Sequence, residues 1–115
     1  MKLFKALLLA MLALVASLPV LAEKVWIDVR TPEEYQTDHI NGDANIPLQT
    51  LKPEELAAKY GKDAELMLYC RSGNRAGQAK QQLEAAGFTK VTNAGSIGDV
   101  RQLRKLAEGN ASPAR

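Results

Sequence analysis

The chain has 115 residues, 46% of them hydrophobic, and a net charge of +2, enough for one domain with one modest core. Lys2 and Lys5 supply the excess charge. Beyond residue 22 the basic side chains equal the 13 acidic ones in number, so nothing argues for nucleic acid or an anionic membrane surface as a partner.

The N-terminus, Met1-Lys-Leu-Phe-Lys5, is positively charged and precedes an apolar run from Ala6 to Leu21 interrupted only by Ser17 and Pro19. This pattern predicts a secretory signal peptide over residues 1–22, with Val20 and Ala22 as the small residues before a cut at Glu23. An uncleaved membrane anchor is the competing reading. The run is shorter than the roughly 20 residues a spanning helix needs, and Pro19 breaks its end. A lipid anchor is not expected, because no cysteine follows the cut. The remainder reads as a single domain over residues 23–109 and a disordered tail over 110–115, with no internal repeat or linker.

Val25 to Val29 is near-continuously apolar and predicts a buried strand of a parallel sheet. Thr31-Pro-Glu-Glu34 is a helix start with a cap, a proline at the first position and Glu three residues after the cap; this short helix ends between Asp38 and Gly42. Ala44 to Ile46 is a short strand stopped by Pro47. Pro53 opens a second helix, Glu54 to Tyr60, closed by Gly61. Leu66 to Tyr69 is the central strand. Beyond Arg75, Ala76, Ala79, Leu83 and Ala86 recur at helical spacing, with Gln78, Gln81, Gln82 and Glu84 toward water and Gly87 as the stop. Lys90 to Thr92 reads as a further strand, Asn93 to Gly98 as a turn region, and Asp99 to Glu108 as a last helix burying Val100, Leu103 and Leu106. Gly109 onward reads as a frayed end. Alternating strands and helices imply an α/β domain, a small mostly parallel sheet flanked by helices on both faces.

Cys70, the only cysteine, stands where the central strand breaks into Arg71-Ser-Gly-Asn-Arg75. One cysteine cannot form an internal disulfide. In a secreted chain it is inert and buried, paired between molecules, or reactive. A strand, a Gly-containing loop and a helix start aim backbone N–H groups and the positive helix end at one point. Together with neighbouring arginines, such a setting lowers a thiol pKa from about 8.5 into the range of about 3.5–7.5. Cys70 is therefore the candidate nucleophile, placed where parallel sheets bind ligands, beyond the carboxyl ends of the strands.

Four segments, Trp26-Ile-Asp-Val-Arg-Thr-Pro-Glu-Glu-Tyr35, His39-Ile-Asn-Gly-Asp-Ala-Asn-Ile-Pro47, Cys70-Arg-Ser-Gly-Asn-Arg75 and Asn93-Ala-Gly-Ser-Ile97, taken in this order, resemble the rhodanese family, and within it the small periplasmic single-domain form. The resemblance implies a sulfurtransferase in the periplasm. Cys70 would take the outer sulfur of thiosulfate as a persulfide and pass it to cyanide or a thiol, with no metal or organic cofactor. The backbone of Arg71, Ser72, Gly73, Asn74 and Arg75 would hold the anionic persulfide. Arg71 and Arg75 would bind thiosulfate through their guanidinium forks, and Arg75 has the alternative role of bracing the loop. An arginine after the cysteine resembles the thiosulfate-using type, whereas mercaptopyruvate-using members look more like Cys-Gly-Ser-Gly. His39, the only histidine, falls where the family pattern uses it structurally, and Asp28, Arg30 and Glu34 are expected to form a bracing ion-pair cluster. Two departures, Ala94 to Gly98 where a Gly-Gly pair is more usual and Val100 where many relatives place Trp, alter the expected pocket wall.

Two rivals share these residues. A phosphatase would also use a cysteine-headed anion loop ending in Arg, but that pattern has five residues between the two and only four separate Cys70 from Arg75, leaving a smaller ring. A noncatalytic persulfide carrier or redox sensor would use Cys70 as an exposed low-pKa thiol. The domain is expected to be monomeric.

Overall fold

The computed structural model describes residues 23–111, with side chains as far as Lys105. The expected leader over 1–22, residues 112–115 and the side chain of Leu106 lie outside the described residues. The order is β1 (Val25–Asp28), α1 (Pro32–Thr37), β2 (Ala44–Asn45), a 3-10 turn (Leu48–Thr50), α2 (Pro53–Tyr60), β3 (Leu66–Cys70), α3 (Asn74–Ala85), β4 (Val91–Ser96) and α4 (Ile97–Ala111). The sheet runs β2-β1-β3-β4 and every neighbouring pair is parallel. β3 therefore lies inside the sheet, and all five of its residues are buried, as its unbroken apolar run predicts.

Side chains alternate across a strand, so β3 serves two layers. Leu66, Leu68 and Cys70 point into one core with Ile27, Val29, Leu56 of α2, Ala76, Ala79 and Leu83 of α3, and Phe88. A fully buried Leu there contributes about 1.5–3 kcal/mol. Met67 and Tyr69 face the other side, where Val100 of α4 is also fully buried. On that side the Tyr69 hydroxyl donates to Asp43 Oδ2 at 2.6 Å, Arg104 of α4 donates to the same oxygen at 2.6 Å, and the Arg104 guanidinium lies 4.5 Å from the centroid of the Trp26 ring. Burial, reinforced by the bond to Asp43, pushes the Tyr69 phenol above its usual range and keeps it protonated.

The first helices start as their sequence signals dictate. Thr31 and Glu34 form a reciprocal capping box on α1, and Pro53 opens α2. The C-terminal third departs from expectation. β4 runs on to Ser96 rather than stopping at Thr92, because a bulge carries it through the expected turn region. Leu68 pairs with Asn93 and Cys70 with Ser96, so Ala94 and Gly95 stand opposite Tyr69 alone, and Gly95 takes φ +91°. The turn chemistry of this stretch is spent on the bulge.

Ser96 then caps α4. Its Oγ accepts from the Asp99 N–H at 3.0 Å while Asp99 Oδ2 accepts from the Ser96 N–H at 3.2 Å, so the helix begins at Ile97 rather than Asp99. It continues through Gly109, where fraying was expected, to Ala111. Leu103, expected in the core, is 56% exposed. The stripe that meets the sheet passes through Val100 and Arg104, one turn apart, and leaves Leu103 on the outer side.

Candidate active site

Cys70 ends β3, and Gly73 occupies the N-cap position of α3 in the left-handed conformation, φ 92° and ψ −11°. A glycine cap has no side-chain acceptor, and none caps α3, so the first N–H groups of the helix have no partner within it. The sulfur takes that place. The Gly73 N–H donates to Cys70 Sγ at 3.0 Å. Burial of the thiol disfavours its ionisation, but the N–H groups of Ala76, Ser72, Gly73 and Arg75 outweigh it and leave the Cys70 pKa below the ordinary thiol value. The depression comes mainly from backbone dipoles, and Arg75, whose own pKa the Cys70 charge raises, adds a Coulombic attraction.

The thiol is fully buried, contrary to the exposed thiol expected of a sensor. Its position at the end of a strand whose even-numbered residues face the α3 core puts the sulfur beneath the loop rather than on it. Around it, Arg71, Ser72 and Asn74 are exposed, and Gly73 and Arg75 are half-buried.

The arginines divide. Arg75 donates to both carboxylate oxygens of Glu34, at 2.6 and 3.0 Å, tying the first turn of α3 to α1. The Arg75 hydrogen bond, with those from Thr31 and against a desolvation cost, pulls the Glu34 pKa down to about 2. Arg71 remains 73% exposed, its Nε 4.0 Å from Glu34 Oε2, and offers a guanidinium at the mouth of the loop. The expected cluster of Asp28, Arg30 and Glu34 is thus split. Asp28 and Arg30 form a buried bidentate pair at 2.8–3.1 Å, with Arg30 also donating to the Asp38 carbonyl, while Glu34 serves Arg75. His39 stacks on Tyr35 at 4.2 Å and its Nδ1 lies 2.8 Å from the Tyr35 carbonyl, a contact that fits a structural role.

Two groups at the site were assigned no role from sequence. The N–H of Ala76, from what reads as a plain core alanine, is the backbone group that most lowers the Cys70 pKa. Asn93 of β4 donates through Nδ2 to the Gly73 carbonyl at 2.9 Å and accepts the Gly95 N–H at 3.0 Å through Oδ1; the Asn-x-Gly spacing is the one local sign of such a turn. A groove of about 380 Å³, lined by Pro53, Glu54, Ala57, Lys62 and Ala86, lies at the far end of α3, a helix length of about 18 Å from the loop. Among the described residues no group of three or more His, Cys, Asp or Glu side chains is arranged to hold a metal ion.

Comparison with known proteins agrees with this geometry. The family model for the rhodanese-like domain matches residues 13–97. The thiosulfate sulfurtransferase PspE of Escherichia coli is 48% identical over 97 residues, which cover 84% of this chain and 92% of that one. The thiosulfate:glutathione sulfurtransferase of Saccharomyces cerevisiae is 32% identical over 79 residues, 59% of this chain and 57% of that protein. Among solved structures, a rhodanese with anions from E. coli superposes with a TM-score of 0.61 at 42% identity, covering 67% of this chain and 91% of that one.

Proposed function

The chain belongs to the rhodanese-like domain family, and from that membership we propose that it is a thiosulfate sulfurtransferase working through a persulfide on Cys70. The observation that carries the reading is the set of backbone N–H groups converging on the only sulfur nucleophile of the chain. The Cys70 thiolate attacks the outer sulfur of thiosulfate; the new S–S bond forms as the old one breaks, and the bonding electron pair leaves with sulfite. The outer sulfur of the persulfide is then attacked by cyanide, giving thiocyanate, or by a thiolate, giving a new persulfide. Either acceptor returns Cys70 as thiolate. Two displacements in series produce double-displacement kinetics.

In this scheme Arg71 binds the sulfonate end of thiosulfate, its exposed guanidinium supplying paired donors to an oxyanion, while Arg75 braces the loop through Glu34. The N–H groups from Ser72 to Ala76 hold the sulfur anion. Arg71→Ala is expected to raise KM for thiosulfate about tenfold with little change in kcat or melting temperature, measured by steady-state thiocyanate formation. Residues 1–22 act as a cleaved export signal, so the periplasm is the working compartment; N-terminal sequencing of protein recovered from that compartment should begin at Glu23. The domain works as a monomer, which sedimentation equilibrium checks.

The primary test is intact-mass measurement after thiosulfate. A gain of one sulfur atom, lost on adding cyanide and cycling over many turnovers, is the expected result. No gain, or a gain that never turns over, would leave Cys70 as a carrier or redox thiol.

A further inference from the structure

The Asn93 carboxamide sits in a space bounded by three glycines. A Cβ on Gly77 would come within 3.4 Å of Nδ2, one on Gly73 would stand 3.7 Å from Oδ1, and Gly95 gives its N–H to that same Oδ1. Gly73 is the residue whose N–H meets the sulfur, and as the one glycine between Cys70 and Arg75 it is the link with the most backbone freedom to lose. Its carbonyl receives two donors: the N–H of Gly77 at 3.0 Å, which starts the α3 ladder, and Asn93 Nδ2 at 2.9 Å. The first ties Gly73 to α3; the second ties it to β4, where Asn93 pairs with Leu68 of the strand that ends in Cys70.

We infer that Asn93 is a positioning residue for sulfur transfer: touching neither sulfur nor substrate, its carboxamide locks the Gly73 backbone so that the loop N–H groups already converge on Cys70 before thiosulfate arrives. This rests on the sulfurtransferase reading. N–H donors stabilise an anion without a reorganisation cost only if they are held in place beforehand, and α3 alone holds one side of the Gly73 peptide. Asn93 supplies the other side from the sheet. Its own exposure limits each bond to the modest net worth of a solvated hydrogen bond, so the effect is one of aim rather than of folding.

The single cysteine makes the test direct. The pH dependence of Cys70 alkylation by iodoacetamide is measured for the unaltered protein, Asn93→Ala and Asn93→Asp, with thermal melts alongside. Asn93→Ala removes both bonds and leaves Arg71 on the loop, Arg75 on α3, Glu34 behind it on α1, Asp28 on β1 and Asp99 beside Gly95 in place. The alkylation inflection is expected to move up by about half to one pH unit, and persulfide formation at neutral pH to slow about three- to tenfold, the range a lost hydrogen bond of this kind gives, with the melting temperature nearly unchanged. Asn93→Asp keeps the acceptor for Gly95 but removes the donor to Gly73. Measured at high salt, which screens the added charge, it should shift in the same direction. An Asn93→Ala profile that coincides with that of the unaltered protein overturns the inference, as does a lowered melting temperature with an unshifted profile or an Asn93→Asp protein that alkylates normally. If the unaltered protein forms no persulfide from thiosulfate, the sulfurtransferase reading fails instead.

Discussion

On the α3 side of β3, Leu66, Leu68 and Cys70 face an apolar core, and the sulfur is met by backbone N–H groups. On the α4 side of the same strand, Tyr69 meets Asp43, Asp43 meets Arg104, Arg104 covers Trp26, and the neighbouring strand contributes the buried Asp28–Arg30 pair. One strand thus separates the candidate nucleophile, held by main chain, from a structural network held by side-chain charge. The main-chain site depends on loop conformation. The side-chain network depends on ionisation, and the difference predicts which substitutions silence chemistry and which loosen the fold.

Cys70→Ser has the largest expected effect: thiocyanate formation falls by more than about a thousandfold, because a hydroxyl neither ionises here nor accepts sulfane sulfur, while the melting temperature stays within a few degrees. Gly73→Ala attacks the same side through the backbone. An L-residue at φ 92° costs about 1–2 kcal/mol, with its Cβ in contact with Gly95 Cα at 3.4 Å, so urea titration should show that loss and the alkylation profile should move to higher pH. Asp43→Ala tests the other side. It strands a buried phenol and a guanidinium, costing about 1–3 kcal/mol in urea, yet Cys70 alkylation should keep its pH profile; a shifted profile would break the separation of the two faces. Glu34→Gln is the smallest. The Glu34 carboxyl titrates at about 2 in the folded protein against an ordinary 4.5. A depressed acid contributes stability that is present above its unfolded pKa and lost as pH falls through the folded one. Glu34→Gln should therefore flatten the decline in melting temperature from pH 4.5 down to about 2, and cost about 1 kcal/mol at neutral pH for a bidentate pair whose side chains are 25% and 24% exposed.

The parts of this fold written in local patterns were legible in the sequence. The Thr31–Glu34 box, Pro53, the apolar run of β3 and the alanine stripe of α3 each act within a few residues, and the strand-loop-helix at Cys70 marked the site. What escaped depends on partners distant in sequence. Glu34 was grouped with Asp28 and Arg30, its neighbours in sequence, whereas its guanidinium partner lies 41 positions away. The Asn93 to Gly98 stretch carries turn residues, and only pairing with β3 makes its first part, as far as Ser96, a bulged strand. Leu103 has the spacing of a core residue, and the sheet instead selects the Val100–Arg104 stripe. The burial of Cys70 follows from which face of β3 its register assigns it to, and a polar loop next door masks that.

The glycine that caps α3 has one more consequence, for proton traffic. Because the N–H groups it leaves free lower the Cys70 pKa and so favour the anion, each half-reaction of the proposed transfer exchanges one sulfur-centred monoanion for another: thiolate becomes persulfide and persulfide becomes thiolate. The site carries the same charge before and after every transfer. In that scheme no acid or base has to be reset between turnovers, and a sulfur buried beneath its loop would need no proton wire to the solvent.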